Sequence, residues 1–307
     1  SLTQVCVLYR RNVRGTHDPI RVNQMRLISS IEAVRRETLL MALEHKQVGF
    51  VPTMGSLHDG HGSLIERAVK DNHFVIASIF VNPLQFGDGE DLDSYPRSIE
   101  KDKQIAEKAG VDVLFVPEVE AMYPSEIATK VVVSKLSQLW EGASREGHFD
   151  GVATVVTKLF AIVGPCTAYF GEKDFQQLQI IRQMVVDLNL PVEVVGAPTV
   201  READGLAMSS RNIYLSPEER LAAPILRVAL DEGLNLVRRG ERDSAVVMAS
   251  MKKIVDSEPL AVLDYVAAVN AKSLEIPEIL HAEIRLLVAA YIGKTRLLDN
   301  DGLTLTE

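Results

Sequence analysis

Residues 48–81 read VGFVPTMGSLHDGHGSLIERAVKDNHFVIASIFV, and the order of patterns in this stretch decides the fold class. Val48-Gly-Phe-Val51 is a short apolar run that ends in a Pro-Thr-Met-Gly turn, Leu57–Asn72 can form a helix, and Phe74–Val81 is β-branched and nearly all apolar. A strand without polar alternation must be buried on both faces, which is the condition of a parallel sheet covered by helices. The stretch is therefore read as a βαβ unit.

The same alternation extends outward. Upstream, from Met25, Ile28, Ile31, Val34, Leu39, Leu40 and Leu43 recur at near-helical intervals, predicting a helix before the first strand. Downstream come a polar loop through Gly87–Arg97, a helix near Ser98–Ala109, a strand at Val113–Val116 and a loop closed by Tyr123-Pro124. Gly151–Val163 reads as a helix, Ala168–Gly171 as a strand end, Phe175–Leu188 as a helix and Val192–Val195 as a strand. The expected class is α/β: a doubly wound, Rossmann-like parallel sheet over residues 25–197, with ligands at the carboxyl ends of its strands.

After residue 197 the pattern changes. A turn-rich link covers Pro198–Arg211, Ser216-Pro217 reads as a helix start with Pro at its first position, and a helical run continues to Arg239. A further helix over Ser244–Ser257 and short strands at Leu263–Asn270 and Ile284–Ile292 predict a smaller α+β lid domain spanning 198–307. Residues 1–24 carry Arg10, Arg11, Arg14 and Arg21 against Asp18. They are read as an extension or appended tail outside the fold.

The 307 residues are 47% hydrophobic and 24% charged, an ordinary globular balance with room for two domains. A net charge of −9 disfavours non-specific nucleic-acid binding, so an anionic ligand requires a local positive pocket. No apolar run reaches the ~18 residues that span a bilayer. Cys6 and Cys166 fall in no metal-ligand spacing, which suits a reducing cytosol.

Chemistry concentrates in four segments. In Met54-Gly55-Ser56-Leu57-His58-Asp59-Gly60-His61 two histidines three residues apart are expected on one helix face. The helix start beside them offers unpaired N–H groups and a partial positive charge that favour phosphate, and Gly55 and Gly60 allow close backbone approach. The plain alternative is a βα loop with two exposed histidines, and a zinc site lacks a third ligand. Gly171-Glu172-Lys173-Asp174 supplies a lysine suited to a phosphate and an acid suited to ribose hydroxyls, or else a solvated charged turn. Met208-Ser209-Ser210-Arg211 combines hydroxyls and a guanidinium as an anion clamp, or else forms a mobile linker. Asn82, Gln85 and Gln177 are neutral amides able to donate and accept, suited to a substrate with hydroxyls and a carboxylate. Segments that follow neighbouring parallel strands face one sheet edge, so the four sets converge.

Taken together, PTMGSLHDGH, SIFVNPLQF, DLDSYPR, EGASREGHFDGVATVV, FGEKDFQQL and DGLAMSSRNIYLS resemble the pantoate–β-alanine ligase family of the HxGH nucleotidyltransferase superfamily, over residues from about 25 to 300. The extension Ser1–Gln24 has no counterpart in it. The resemblance implies ATP as substrate with Mg2+, pantoate and β-alanine as partners, a pantoyl-adenylate intermediate, release of pyrophosphate and AMP, and a cytoplasmic homodimer. It places ATP on Met54–His61, with His61 as proton donor, and on Gly171, Glu172, Lys173, Asp174, Val200 and Met208–Arg211. It places pantoate on Gln85 and Gln177, with Gln85 also near β-alanine. The superfamily loop that ends in Arg211 lacks its first lysine, which is this family's usual form. No residue is read as the base that deprotonates β-alanine. The competing enzyme reading, nucleotidyl transfer to a phosphorylated acceptor, calls for extra basic residues near the pocket, whereas the amides here are neutral. A non-catalytic nucleotide-binding module would not be expected to retain both histidines and Lys173.

Overall fold

The computed structural model describes residues 24–87, 90, 92–93 and 95–305; the expectations for residues 1–23 fall outside this range. The larger lobe holds a six-stranded, all-parallel sheet of β1 (Arg26–Ile28), β2 (Val48–Thr53), β3 (Phe74–Ile79), β4 (Val113–Phe115), β5 (Cys166–Gly171) and β6 (Val192–Ala197) in the order β1-β4-β3-β2-β5-β6. Its connections include α1 (Ile31–Leu43), α2 (Asp59–Asp71), α3 (Ile99–Ala109), the short α4 (Val119–Met122) and α5 (Trp140–Ser144), α6 (His148–Val163) and α7 (Phe175–Asp187).

Period-two alternation divides each central strand between two cores. Phe50, Ile76, Phe115 and Phe170 face a cluster that includes Val34 of α1, Phe160 of α6 and Ile181 of α7. Their neighbours Val51, Val75, Leu114 and Tyr169 face the other side, with Ile65 of α2 and Ala106 of α3. Burial on both faces is what the near-continuous apolar strands required.

The smaller lobe holds α8 (Pro217–Ala222), α9 (Ile225–Arg238) and α10 (Ser244–Asp256) against an antiparallel sheet of β7 (Ala261–Asn270), β8 (Glu283–Ile292) and β9 (Thr295–Thr304). The lobes are packed together: Ala267, Val269 and Leu287 of this sheet belong to the same core as Phe149 and Phe175. Polar contacts add to the junction, where Arg296 reaches both carboxylate oxygens of Glu141 at 2.7 and 2.8 Å and Arg285 reaches Glu172 at 3.3 Å. No helix among the described residues is long and apolar enough to cross a membrane.

Local readings are corrected in four places. Residues 26–28 form an edge strand and not helix, because Ser30 caps α1 by accepting the Ala33 N–H. The second helix begins at Asp59, leaving His58 as its cap and not on its surface. The run to Arg239 is two helices, interrupted at Ala223-Pro224, where proline removes a donor and disfavours helix in the residue before it. Strand β9 was not anticipated: its sequence TRLLDNDGLT carries Asp299 and Asn300, both buried, which hide the strand pattern.

Candidate active site

The strand order reverses between β2 and β5, which pair directly through Gly49–Thr167 and Phe50–Ala168. The crevice outside the carboxyl ends at such a switch point is where open α/β sheets bind ligands. The loop after β2 supplies the two histidines, the turn after β5 supplies Lys173, and the segment after β3 supplies Gln85.

The β2–α2 loop is tightly specified. Gly55 and Ser56 both have left-handed backbone (φ 83° and 51°), and the Thr53 hydroxyl accepts the Gly55 N–H while donating to the Ser78 carbonyl. The carboxylate of Asp102, on α3 and only 2% exposed, accepts the N–H groups of Ser56 at 2.9 Å and Leu57 at 2.7 Å. Those donors, expected for a phosphate, are therefore already satisfied inside the protein. Leu57 is a core residue and Asp59 is exposed, and neither lines the cleft.

The histidines cap the helix and each other. His58 Nδ1 accepts the Gly60 N–H at 3.1 Å, and His61 Nδ1 accepts the His58 N–H at 3.3 Å, with the ring centroids 4.1 Å apart. A Cβ on Gly60 would lie 2.8 Å from the His58 ring, so the glycine is needed to admit the imidazole. Burial, then the neighbouring His58 charge, lowers His61 to about 3, and burial, then Lys173, lowers His58. Both rings are uncharged at neutral pH, and because Nδ1 accepts, the single proton resides on Nε2. The pair thus presents two N–H donors.

Around this core the structure brings most of the remaining candidates to one cavity of about 230 Å³, lined by Met54, Gln85, Gly171 and Lys173 among others. Asp174, Gln177, Val200 and Met208–Arg211 line it too. Lys173 lies 3.3 Å from the Asp174 carboxylate. What the sequence offered as a turn-rich link is a tight hairpin: Arg201 bridges Ala207, Gly205 turns with φ 90°, and Met208 N–H bonds the Val200 carbonyl. Val200 and Met208 thereby become neighbours. Ser209 caps the following turn through the Arg211 N–H, and Ser210 meets the Tyr95 hydroxyl at 3.4 Å.

Gln85 is 7% exposed and donates to Met54 Sδ. Asn82 supports it from below and does not line the cavity: its amide donates to Gln85 and to the Gly151 carbonyl, and its oxygen accepts from Tyr123 and Leu84. Gly151 permits this approach, since a Cβ there would overlap the Leu84 carbonyl. Glu172 faces Arg285 and also does not line the cavity.

Other contributors were not singled out from sequence. Arg145 is held by two bonds to Glu90 at 2.6 and 2.7 Å, and His148 Nδ1 lies 2.7 Å from the Gln85 carbonyl. Burial, then Arg145, lowers His148 to about 4, so its neutral Nδ1–H donates to that carbonyl. Both residues lie in the EGASREGHFDGVATVV run, whose histidine and arginine were the available signal. The cavity opens into a cleft of about 940 Å³ between the lobes, lined on the smaller lobe by Tyr265, Tyr291, Lys294 and Arg296. Among the described residues no three His, Cys, Asp or Glu side chains form a metal cage.

Comparison with known proteins finds relatives over most of the chain. A family model described as pantoate-beta-alanine ligase matches residues 26–301. The pantothenate synthetase of Heliobacterium modesticaldum is 53% identical over 276 residues, covering 90% of this chain and 98% of that protein. That of Caldicellulosiruptor bescii is 48% identical with the same coverage. The crystal structure of pantothenate synthetase from Thermus thermophilus superposes with a TM-score of 0.85 at 50% identity, covering 90% of this chain and 99% of that one. The pantoate-beta-alanine ligase of Francisella tularensis, solved with beta-gamma ATP and beta-alanine, gives 0.73 at 33% identity and covers 90% and 97%. With the match running across both lobes and through every segment that lines the cleft, the chain belongs to the pantoate–β-alanine ligase family.

Proposed function

We propose that the protein makes pantothenate in this cleft in two steps. The pantoate carboxylate attacks the α-phosphorus of ATP, giving pantoyl adenylate and pyrophosphate; the amine of β-alanine then attacks the acyl carbon, releasing AMP. The observation that carries the reading is the convergence around one cavity of two neutral imidazoles, Lys173, the Ser209–Arg211 loop and the amides Gln85 and Gln177.

Each group has a task that follows from its chemistry. In the first step charge builds on phosphate oxygens and on the departing pyrophosphate. Fixed donors aimed there lower the barrier without reorganising. The Nε2–H groups of His58 and His61 serve as such donors; as hydrogen-bond donors they need no low-pH imidazolium. Lys173 and Arg211 supply full charges, and Ser209 and Ser210 supply hydroxyls. Gln85, held by Met54 and by Asn82, which itself bonds the Gly151 carbonyl of α6, and Gln177 orient pantoate so that its carboxylate is in line, which is the positioning share of the catalysis. The packed smaller lobe keeps water from the mixed anhydride. Magnesium would accompany the triphosphate, and Asp174, which lines the cavity beside Lys173, is the carboxylate that would hold it. It would supply charge neutralisation on the phosphates.

The test is ATP–pyrophosphate exchange with pantoate present and β-alanine absent. Exchange is the expected result. Its absence in enzyme that still forms pantothenate would reject the adenylate route.

A further inference from the structure

Strand β9 buries two adjacent polar residues in a sheet whose other buried positions are mainly aliphatic: Asp299 is 4% and Asn300 is 3% exposed. Successive side chains of a strand project to opposite faces, so the two reach different surroundings. The Asn300 amide donates to the backbone carbonyls of Glu172 at 3.1 Å and Lys173 at 2.6 Å. Its oxygen accepts from Arg285 Nε at 2.7 Å, and that guanidinium also contacts the Glu172 carboxylate at 3.3 Å and covers the Phe175 ring at 4.2 Å. The turn that carries Lys173 thus ends on side chains of the smaller lobe.

Asp299 grips the other cationic segment. Its carboxylate accepts from Arg201 at 2.6 and 3.0 Å, and Arg201 also donates to the Gly205 carbonyl at 3.0 Å and the Asn300 carbonyl at 3.3 Å. Arg201 is one half of the bridge that closes the hairpin leading into Ser209–Arg211.

We propose that Asp299 and Asn300 are positioning residues for the ligase reaction: from one point on β9, Asn300 sets the backbone of Lys173 and Asp299, through Arg201, sets the loop of Ser209–Arg211. The inference rests on the reading of Lys173 and Ser209–Arg211 as phosphate-contacting groups. It makes docking of the smaller lobe and placement of both cationic segments one event, so closure and catalytic competence are coupled through a dipeptide in the wall of the inter-lobe cleft. Misplacement by about 1 Å is enough to slow a reaction on the order of 100-fold.

The test is a double-mutant cycle. Asn300→Ala, Lys173→Ala and the double variant are compared in pantoate-dependent ATP–pyrophosphate exchange and in affinity for a non-hydrolysable ATP analogue, with thermal melting as the measure of folding. Asn300→Ala is expected to slow exchange by about 10- to 100-fold. In the Lys173→Ala background it should add no more than about threefold, because the group it positions is already gone. A purely structural role predicts effects that multiply, and multiplication in an enzyme sensitive to Lys173→Ala overturns the inference alone. If Lys173→Ala changes neither exchange nor analogue affinity, the assignment of Lys173 falls first and this inference with it. Asn300→Asp, which keeps size and the acceptor for Arg285 but turns an oxygen toward the two carbonyls, replaces Asn300→Ala in the cycle if the alanine variant fails to fold. Where exchange in Lys173→Ala is too slow to follow, analogue affinity carries the cycle. Asp299→Asn against Arg211→Ala, read the same way, tests the second arm.

Discussion

Acid should weaken this fold before most carboxylates protonate, and the cleft histidines set the size of the effect. Burial, aided by His58, lowers His61 to about 3, and burial, aided by Arg145, lowers His148 to about 4. In the unfolded chain both titrate near 6.5. Between those values the unfolded state takes up protons that the folded state refuses. Stability is therefore full above about pH 7.5, begins to fall as pH drops through about 6.5, and keeps falling until the folded values are reached. At about pH 5 each ring is some 1.5 pH units below its unfolded value, a loss of about 2 kcal/mol apiece and about 4 kcal/mol for the pair. Against a total stability of about 5–15 kcal/mol this is a large share. Guanidinium unfolding followed by the fluorescence of Trp140, at about pH 7.5 and about pH 5, measures it for wild type, His61→Gln, His148→Gln and the double variant. The loss between the two conditions should shrink by about 2 kcal/mol in each single variant. A double variant that loses as much stability as wild type would refute the reasoning.

Four further outcomes are expected. Asp102→Asn keeps the shape but can accept only one of the two backbone N–H groups of Ser56 and Leu57, so unfolding should show a loss of about 1–3 kcal/mol and kinetics a weaker use of ATP. Lys173→Ala should slow pyrophosphate exchange by at least about 100-fold while the melting temperature stays near wild type, since its ammonium meets the Asp174 carboxylate at the surface of the cleft and not in the core. Gly151→Ala drives a methyl group into the Leu84 carbonyl and should displace Gln85, raising KM for pantoate with little change in KM for ATP, as steady-state assays would show. Arg296→Met leaves the buried Glu141 carboxylate at the lobe junction without its cation, which the Tyr265 hydroxyl at 2.8 Å does not replace, and should cost about 3–5 kcal/mol in denaturant unfolding.

How much of this was legible in the sequence follows from the range of the forces involved. Strand burial on both faces is a local property, visible in FVIASIFV and VGFV, and with parallel strands it dictates crossover helices and a ligand edge at the strand ends. The histidine, lysine and serine–arginine segments could be assigned to that edge because each directly follows a strand or the last strand's link. The small-lobe sheet was only partly legible: two of its strands are apolar, while β9 buries Asp299 and Asn300 for reasons that lie in another lobe.

Periodicity and turn chemistry act over a few residues, so the fold class, the sheet edge and the residue types that meet there can be read from the amino-acid order alone. The tertiary structure alone decided which of those groups are free to act. Ser56 N–H is consumed by Asp102 from 46 residues away, and the Lys173 carbonyl is held by Asn300 from 127 residues away. The protonation of the histidine pair was likewise settled by burial and by the backbone N–H groups that their Nδ1 atoms accept. Hydrogen-bond satisfaction and desolvation depend on what packs in space, and no local pattern of residues carries that information.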